Sequence, residues 1–365
     1  MNIKILIVCS SLGGGGAEKV AANLASAFSG LGHDVTVFCR PCKKQYPVDS
    51  RVRIIHPSKR MVVSRIISLA SLVRSKSPDF ILSFTDVSNV DAWFASKIAG
   101  YSGVRVPTIH NDLKLRDSRV KASLKKSIVY YLHRLACLSA SRVVVVSKSA
   151  AVSFCDYYKI DVKKVSCIYN PVISDNFNLL PAVSQNSLKK QIRLVAVGRL
   201  VDQKNYPLMI DVMETLCRDQ VHEFTLDIYG EGELEGELKR CVEQKALTDV
   251  VTFRGFSSDL DKVLPEYDCF ILTSDWEGFG NVLVEALACG LPVVSTACPS
   301  GPEEVLGWGR FGTLVEPANS KLFADAVLHT INQPKDVDRC ELNQHLHQFR
   351  ESVIAQHYLD VFSTC

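Results

Sequence analysis

Short apolar, β-branched runs alternate with helical stretches along this chain, break off near residue 172, and begin again at Ile192. This repeated alternation restricts the fold more than any other feature. Strands are expected at 3–9, 34–39, 51–56, 79–84, 105–109, 142–147 and 164–169, and again at 192–197, 224–229, 250–254, 268–273 and 292–296. Helical stretches fill the gaps, as at 17–31, where Val20, Leu24, Ala27, Phe28 and Leu31 fall at helical spacing and Gly32 follows as a stop signal. Strand–helix alternation of this kind builds parallel, doubly wound sheets. A chain of 365 residues is also too long for one core. The expectation is an α/β protein with a first domain at 1–172, a linker at 173–190 rich in Ser and Asn, and a second domain at 191–346. A last helix at 347–365, with Val353, Tyr358, Val361 and Phe362 apolar, is expected to pack back on the first domain.

Charge divides the two halves. Residues 1–180 carry 26 Lys/Arg and 11 Asp/Glu, and residues 181–365 carry 16 and 28, so a net charge of +3 conceals +15 and −12. Such asymmetry suggests domains with different partners. The apolar run Ile5–Cys9 is too short to span a bilayer and no other run approaches the necessary length. The 13 cysteines are scattered, as expected of a reducing cytosol. Cys39-Arg40-Pro41-Cys42 fits C-x-x-C, but no second pair supplies the other ligands of a zinc site, and an ordinary loop of reduced thiols is the simpler reading.

Three segments carry chemistry. In Ser274-Asp275-Trp276-Glu277-Gly278-Phe279-Gly280-Asn281-Val282-Leu283-Val284-Glu285, a buried strand gives way to a glycine-containing loop and then to a helix start. Ligands of open α/β sheets bind beyond the carboxyl ends of strands, and a helix N-terminus favours anions. Glu277 and Glu285 are acceptors suited to sugar hydroxyls. In Gly198-Arg199-Leu200 and Gln203-Lys204-Asn205, two cations follow another strand, which suits a diphosphate. The loop Gly13–Gly16 permits close backbone approach after the first strand. It departs from the dinucleotide fingerprint, because Glu18 stands where the third glycine would, and it contains no Gly-Lys-Ser/Thr. An NAD oxidoreductase is therefore disfavoured.

Together, Gly-Gly-Ala-Glu at 15–18, Gly-Arg-Leu at 198–200 with Lys204, Tyr229-Gly230-Glu231-Gly232, and Glu277-x7-Glu285 followed by Gly290-Leu291-Pro292-Val293-Val294 resemble glycosyltransferase family 4. That family consists of retaining enzymes with the GT-B fold, two Rossmann-like domains facing each other across a cleft. The resemblance covers nearly the whole chain, most strongly 190–316. It implies that Arg199 and Lys204 bind the donor diphosphate and that Glu285 holds the nucleotide ribose. Glu277, with Gly278, Phe279, Gly280 and Asn281, would hold the donor sugar. Gly15 and Gly16 would meet the phosphates or acceptor, and His110, in Thr108-Ile109-His110-Asn111, would lie near the reacting carbon.

Loss of the diphosphate leaves negative charge that Arg199, Lys204 and a helix dipole stabilise, so no metal or other cofactor is expected. The Asp-x-Asp pairs at 259–261 and 336–338 are expected to be an N-capped helix start and a polar loop, respectively. Basic, partly apolar stretches at Arg60–Arg74 and Lys114–Arg142 suit an anionic membrane surface, while no nucleic-acid motif accompanies them. The expected partners are thus a nucleotide-diphosphate sugar, with UDP the favoured nucleotide, and a glycan or polyprenyl-diphosphate-linked glycan acceptor. The expected location is the cytoplasm, peripheral on the inner face of the cell membrane, in surface polysaccharide or O-antigen assembly. The alternatives are a nucleotide-sugar epimerase of the same architecture and a non-catalytic nucleotide-sugar-binding protein.

Overall fold

The computed structural model describes residues 2–58, 61–119, 124–181, 190–218, 221–317, 319–333 and 335–364. The chain divides into two compact units, Met1–Asp175 with Phe349–Cys365, and Asn176–Gln348. Part of the expected linker, residues 182–189, lies outside the described residues, as do Arg60 and residues 120–123 of the two basic stretches.

In unit 1 the chain runs β1 (Lys4–Val8), α1 (Gly16–Gly30), β2 (Asp34–Phe38), β3 (Arg53–Ile55), α2 (Val62–Lys76), β4 (Phe80–Phe84) and α3 (Asp86–Ala99). It continues through β5 (Val104–Ile109), α4 (Leu113–Arg119), α5 (Leu124–Leu138), β6 (Val143–Val145), α6 (Lys148–Tyr158) and β7 (Val165–Cys167). The seven strands lie in the order β3-β2-β1-β4-β5-β6-β7, and each neighbouring pair is parallel. Successive strand residues face opposite sides of a sheet. Accordingly, Ile5 and Ile7 of β1 join Leu24 and Phe28 of α1 in one core, while Leu6 and Val8 join Leu69 and Val73 of α2 in another.

Unit 2 contains β8 (Gln191–Val197), α7 (Tyr206–Leu216), β9 (Glu223–Tyr229), α8 (Glu235–Gln244), β10 (Val251–Gly255), α9 (Leu260–Val263) and β11 (Cys269–Leu272). Then come α10 (Asn281–Ala288), β12 (Val293–Thr296), α11 (Pro302–Val305), β13 (Thr313–Val315), α12 (Ser320–Asn332) and α13 (Arg339–His347). Its six strands run β10-β9-β8-β11-β12-β13, again with parallel neighbours. Strand order reverses beside β1 in unit 1 and beside β8 in unit 2, and a doubly wound sheet binds ligands at such a switch point.

The last helix, α14 (Glu351–Ser363), belongs to unit 1, where Ile354, Tyr358 and Phe362 enter the α1 core. Phe28 meets Tyr358 edge-on at 6.3 Å. The helix expected at 347–365 begins instead at Glu351, after a break that follows the end of α13 at His347. The break is held because Phe349 O accepts from the backbone N–H groups of Val172 and Ile173. The strand β13 was not expected: its apolar run is only Leu314–Val315, between Gly312 and Pro317, whereas the equally short β6 lies in the run Val143–Val146.

Candidate functional site

In unit 2 the loops after β8 and β11 are neighbours because these strands pair. The β8 loop ends in a single 3₁₀ turn, Asp202–Lys204, followed by Asn205 at φ +45° as the N-cap of α7. The β11 loop, Thr273–Gly280, ends with Gly280 at φ +90° capping α10. Glu277 and Lys204 meet here. Lys204 Nζ donates to Glu277 Oε1 at 2.5 Å, with side-chain exposures of 13% and 7%. Ser274 Oγ donates to the same carboxylate oxygen at 2.7 Å. Charges this buried persist only when paired and hydrogen-bonded. The sequence reading treated Lys204 and Glu277 as separate ligand groups; the structure brings them together as one ion pair. An ammonium has three N–H groups, so a bond to Glu277 leaves capacity for an anionic ligand.

The two loops are tied at each step. Asp275 N donates to Gln203 O at 2.9 Å, Gln203 Nε2 donates to Trp276 O at 2.9 Å, and Asn205 Nδ2 donates to Asp275 Oδ1 at 2.7 Å. The end of β12 and the loop after it support them. Thr296 Oγ1 donates to Ser274 O at 2.6 Å, and Pro299 O accepts from Glu277 N at 3.1 Å. A Cβ on Gly301 would lie 2.2 Å from Phe279 O, so only glycine lets this loop pack against the Glu277 loop. Burial, then the Glu277 carboxylate, pushes the Cys298 thiol far up, and it remains a neutral wall of the site. The sequence segment Cys298-Pro299-Ser300-Gly301-Pro302 resembles that of family members using UDP-sugars, but the supporting contacts of Thr296, Pro299 and Gly301 are long-range and were not readable from it. Gly278, Phe279 and Gly280 are buried, Asn281 and Glu285 are half-buried on α10, and Arg199 is exposed.

In unit 1 the glycine loop packs against the loop after β2: a Cβ on Gly13 would lie 1.8 Å from Lys44 O. Gly15 is the N-cap of α1 and Gly16 its first residue, with no side chain capping the helix. The Glu18 carboxylate folds over Gly15, where a Cβ would meet Oε2 at 2.4 Å. An acid in the first turn thus already faces the α1 dipole. His110 follows β5. Its Nε2 shares a 2.8 Å hydrogen bond with Thr108 Oγ1, its ring stacks on Phe84 at 5.2 Å, and Nδ1 is buried. Burial pushes its pKa down to about 3 against an opposing contact with Asn170, so the ring is a neutral imidazole near pH 7.

Beside His110 lies a buried polar network that the sequence reading did not foresee. Asn89 Nδ2 bonds Thr108 O at 3.3 Å and His133 Nε2 at 2.9 Å, and His133 Nδ1 bonds Tyr158 OH at 2.8 Å. Asp86 pairs with Arg116 at 2.6 Å.

The expected basic helix is α2, but Arg65 turns inward to pair with Asp91 at 2.5 Å. Met61, Val62, Val63 and Ile67 at its start are exposed instead. In α5, Ile128, Val129 and Tyr131 are exposed. Among the described residues no helix is long and apolar enough to cross a membrane, and no group of three or more His, Cys, Asp or Glu is placed to hold a metal. Asp259 occupies the N-cap position of α9 but its side chain makes no capping bond, which corrects the expectation. Asp338, assigned to a polar loop, caps α13 by accepting from Cys340 N.

Comparison with known proteins bears on both units. The family model Glycosyltransferase Family 4 matches residues 14–176, and the model Glycosyl transferases group 1 matches residues 182–346. The chain is 28% identical to an N-acetylgalactosamine-N,N'-diacetylbacillosaminyl-diphospho-undecaprenol 4-alpha-N-acetylgalactosaminyltransferase of Campylobacter jejuni, over 87% of each chain. It is 26% identical to the amylovoran biosynthesis glycosyltransferase AmsD of Erwinia amylovora, over 88% of each. Among solved structures, HepE of Anabaena in complex with UDP-glucose superposes with a TM-score of 0.78 at 20% identity, covering 100% of both chains. Sucrose-phosphate synthase of Thermosynechococcus elongatus gives a TM-score of 0.80 at 18% identity, covering 99% of this chain and 100% of that one. These structural likenesses establish the GT-B fold.

Proposed function

Because the chain belongs to glycosyltransferase family 4, we propose that it is a retaining enzyme that moves a hexose or N-acetylhexosamine from a UDP-sugar to a lipid-linked glycan, in assembly of a surface polysaccharide. The observation that carries this reading is the Lys204–Glu277 pair, held almost out of water at the switch point of unit 2 beside the start of α10. A desolvated cation fixed by hydrogen bonds is suited to charge that develops on a departing diphosphate, and needs no reorganisation at the moment of reaction. Arg199, exposed on the same loop, adds a second cation for the diphosphate. Glu277 and Glu285 serve as acceptors for the hydroxyls of donor sugar and ribose, rather than as an acid and base pair. His110, neutral, contributes shape and polarity near the reacting carbon. With two cations in this role, catalysis is metal-independent.

The relatives support the finer parts. The Campylobacter jejuni enzyme is named for transfer of N-acetylgalactosamine to a diphospho-undecaprenol glycan, and HepE was solved with UDP-glucose. The exposed apolar side chains at the start of α2 and along α5 support association with a lipid surface, and the proposed location is the inner face of the cell membrane. The test is a panel of UDP- and GDP-sugars with a polyprenyl-diphosphate-linked glycan acceptor, with and without a chelator. Transfer from a UDP-sugar that survives chelation is expected. Absence of turnover across the whole panel overturns the reading.

A further inference from the structure

The geometry points to Asp275 and Asn205 as positioning residues that set where the Lys204 ammonium stands, through the hydrogen bond between their side chains. This rests on the reading that Lys204 meets the donor diphosphate.

Three consecutive residues of the β8 loop reach three consecutive residues of the β11 loop: Gln203 to Trp276 O, Lys204 to Glu277, and Asn205 to Asp275. The backbone contributes one further tie, from Asp275 N to Gln203 O. Thr273 Oγ1 also lies 3.1 Å from both Lys204 O and Asn205 O. Lys204 is thus flanked by two residues tied to the same loop, and the Asn205–Asp275 bond is the rung on its C-terminal side.

Two features set that rung apart from ordinary loop packing. Asn205 holds a left-handed backbone at φ +45°, a conformation that glycine adopts at no cost. Its side chain does what glycine cannot: Oδ1 accepts from Leu208 N at 3.3 Å, and Nδ2 donates to Asp275 at 2.7 Å. Those partners fix the amide's orientation, since a carboxylate only accepts and a backbone N–H only donates. The second feature is electrostatic. Asp275 puts a second carboxylate beside Glu277, next to the cation meant for a polyanion. A like charge there opposes phosphate binding through space. A group that costs the site charge complementarity contributes instead by geometry, holding the Lys204 turn against the Glu277 loop.

The experiment uses the full chain and measures UDP affinity by calorimetry, kcat and donor KM, and thermal unfolding, for Asp275→Ala, Asp275→Asn, Asn205→Gly, the Asp275→Ala/Asn205→Gly pair, and Lys204→Ala. Asp275→Ala and Asn205→Gly are each expected to lower kcat/KM about tenfold, with the pair no worse than either alone, as for two ends of one interaction. Asp275→Asn retains an acceptor oxygen without the charge, and is expected to recover most of the loss. Should Asp275→Ala not fold, Asn205→Gly against Asp275→Asn carries the comparison. Unaltered kinetics in Asn205→Gly and Asp275→Ala, or losses that multiply in the pair, would overturn the assignment. So would an Asp275→Asn as impaired as Asp275→Ala, which would assign the effect to charge. If Lys204→Ala weakens UDP binding while the Asp275 variants do not, only this inference fails. If Lys204→Ala binds UDP normally, the diphosphate reading itself fails.

Discussion

The two sheets end in loops of different character. At the carboxyl edge of unit 2, a buried Lys–Glu pair sits among loops tied together by side chains. At the corresponding edge of unit 1, a neutral histidine, hydroxyls and amides form the interior network, and elsewhere in that unit α2 and α5 expose aliphatic side chains. The net +15 of the first half is not simply a cationic surface. Arg65, Arg105 and Arg116 are partly or wholly buried and bonded to Asp91, to Ala136 O and Ser139, and to Asp86 and Asp117. The contrast teaches that overall charge is a poor guide to where a fixed, desolvated cation stands. The acidic half holds the better-organised cation, because a desolvated and fixed ammonium stabilises charge more than several solvated ones.

The largest expected effect falls on that cation. Lys204→Ala should reduce turnover by about 10²–10³-fold, the scale of removing one preorganised charge-stabilising donor. It should also lower thermal stability by leaving the Glu277 carboxylate buried without its partner. Steady-state kinetics and melting curves read the two effects separately, and a variant with near-normal turnover would remove the distinction drawn between the edges.

A smaller effect is expected from protonation in unit 1. His110 titrates near 3 rather than 6.5, so the unfolded chain takes up a proton that the folded chain refuses; stability should fall as pH drops from about 6.5 towards 3. Glu351 has the opposite sign. Burial, then the Asp175 charge, raises it to about 7 from 4.5, so its contribution should fall as pH rises from about 4.5 to 7. Each group contributes at most about 1.4 kcal/mol per pH unit. Melting curves of His110→Gln and Glu351→Gln against the parent, from pH 4.5 to 8, should diverge in opposite directions. Parallel curves would show that neither group is held as described.

The smallest effect concerns the exposed aliphatics. Replacing Val62, Val63 and Ile67 with Ser should reduce flotation with anionic vesicles several-fold while leaving donor hydrolysis intact, since the change lies at the start of α2. Equal flotation of parent and variant would separate this surface from lipid binding.

Most of the architecture was legible because strands such as Lys4–Val8 and Cys269–Leu272 are apolar runs bounded by turn residues. Thr313–Val315 and the break at Gln348–Arg350 were not, the first because only Leu314 and Val315 form its apolar run and the second because its hydrogen bonds come from Val172 and Ile173. In the site, the residue types were readable but their pairing was not. Lys204 and Glu277 stand 73 positions apart, and only the β8–β11 pairing brings them together. Glu18 over Gly15 was readable in principle, because an acid three residues after a helix cap is a capping-box signal.

The central claim is that unit 2 holds a nucleoside diphosphate through Arg199 and Lys204. Calorimetric titration of UDP into the full chain and into an Arg199→Ala/Lys204→Ala variant tests it most directly. The account predicts saturable binding by the parent and a loss of at least about 100-fold in the variant, the scale of two charge-assisted contacts. Equal affinity in the two proteins would contradict it.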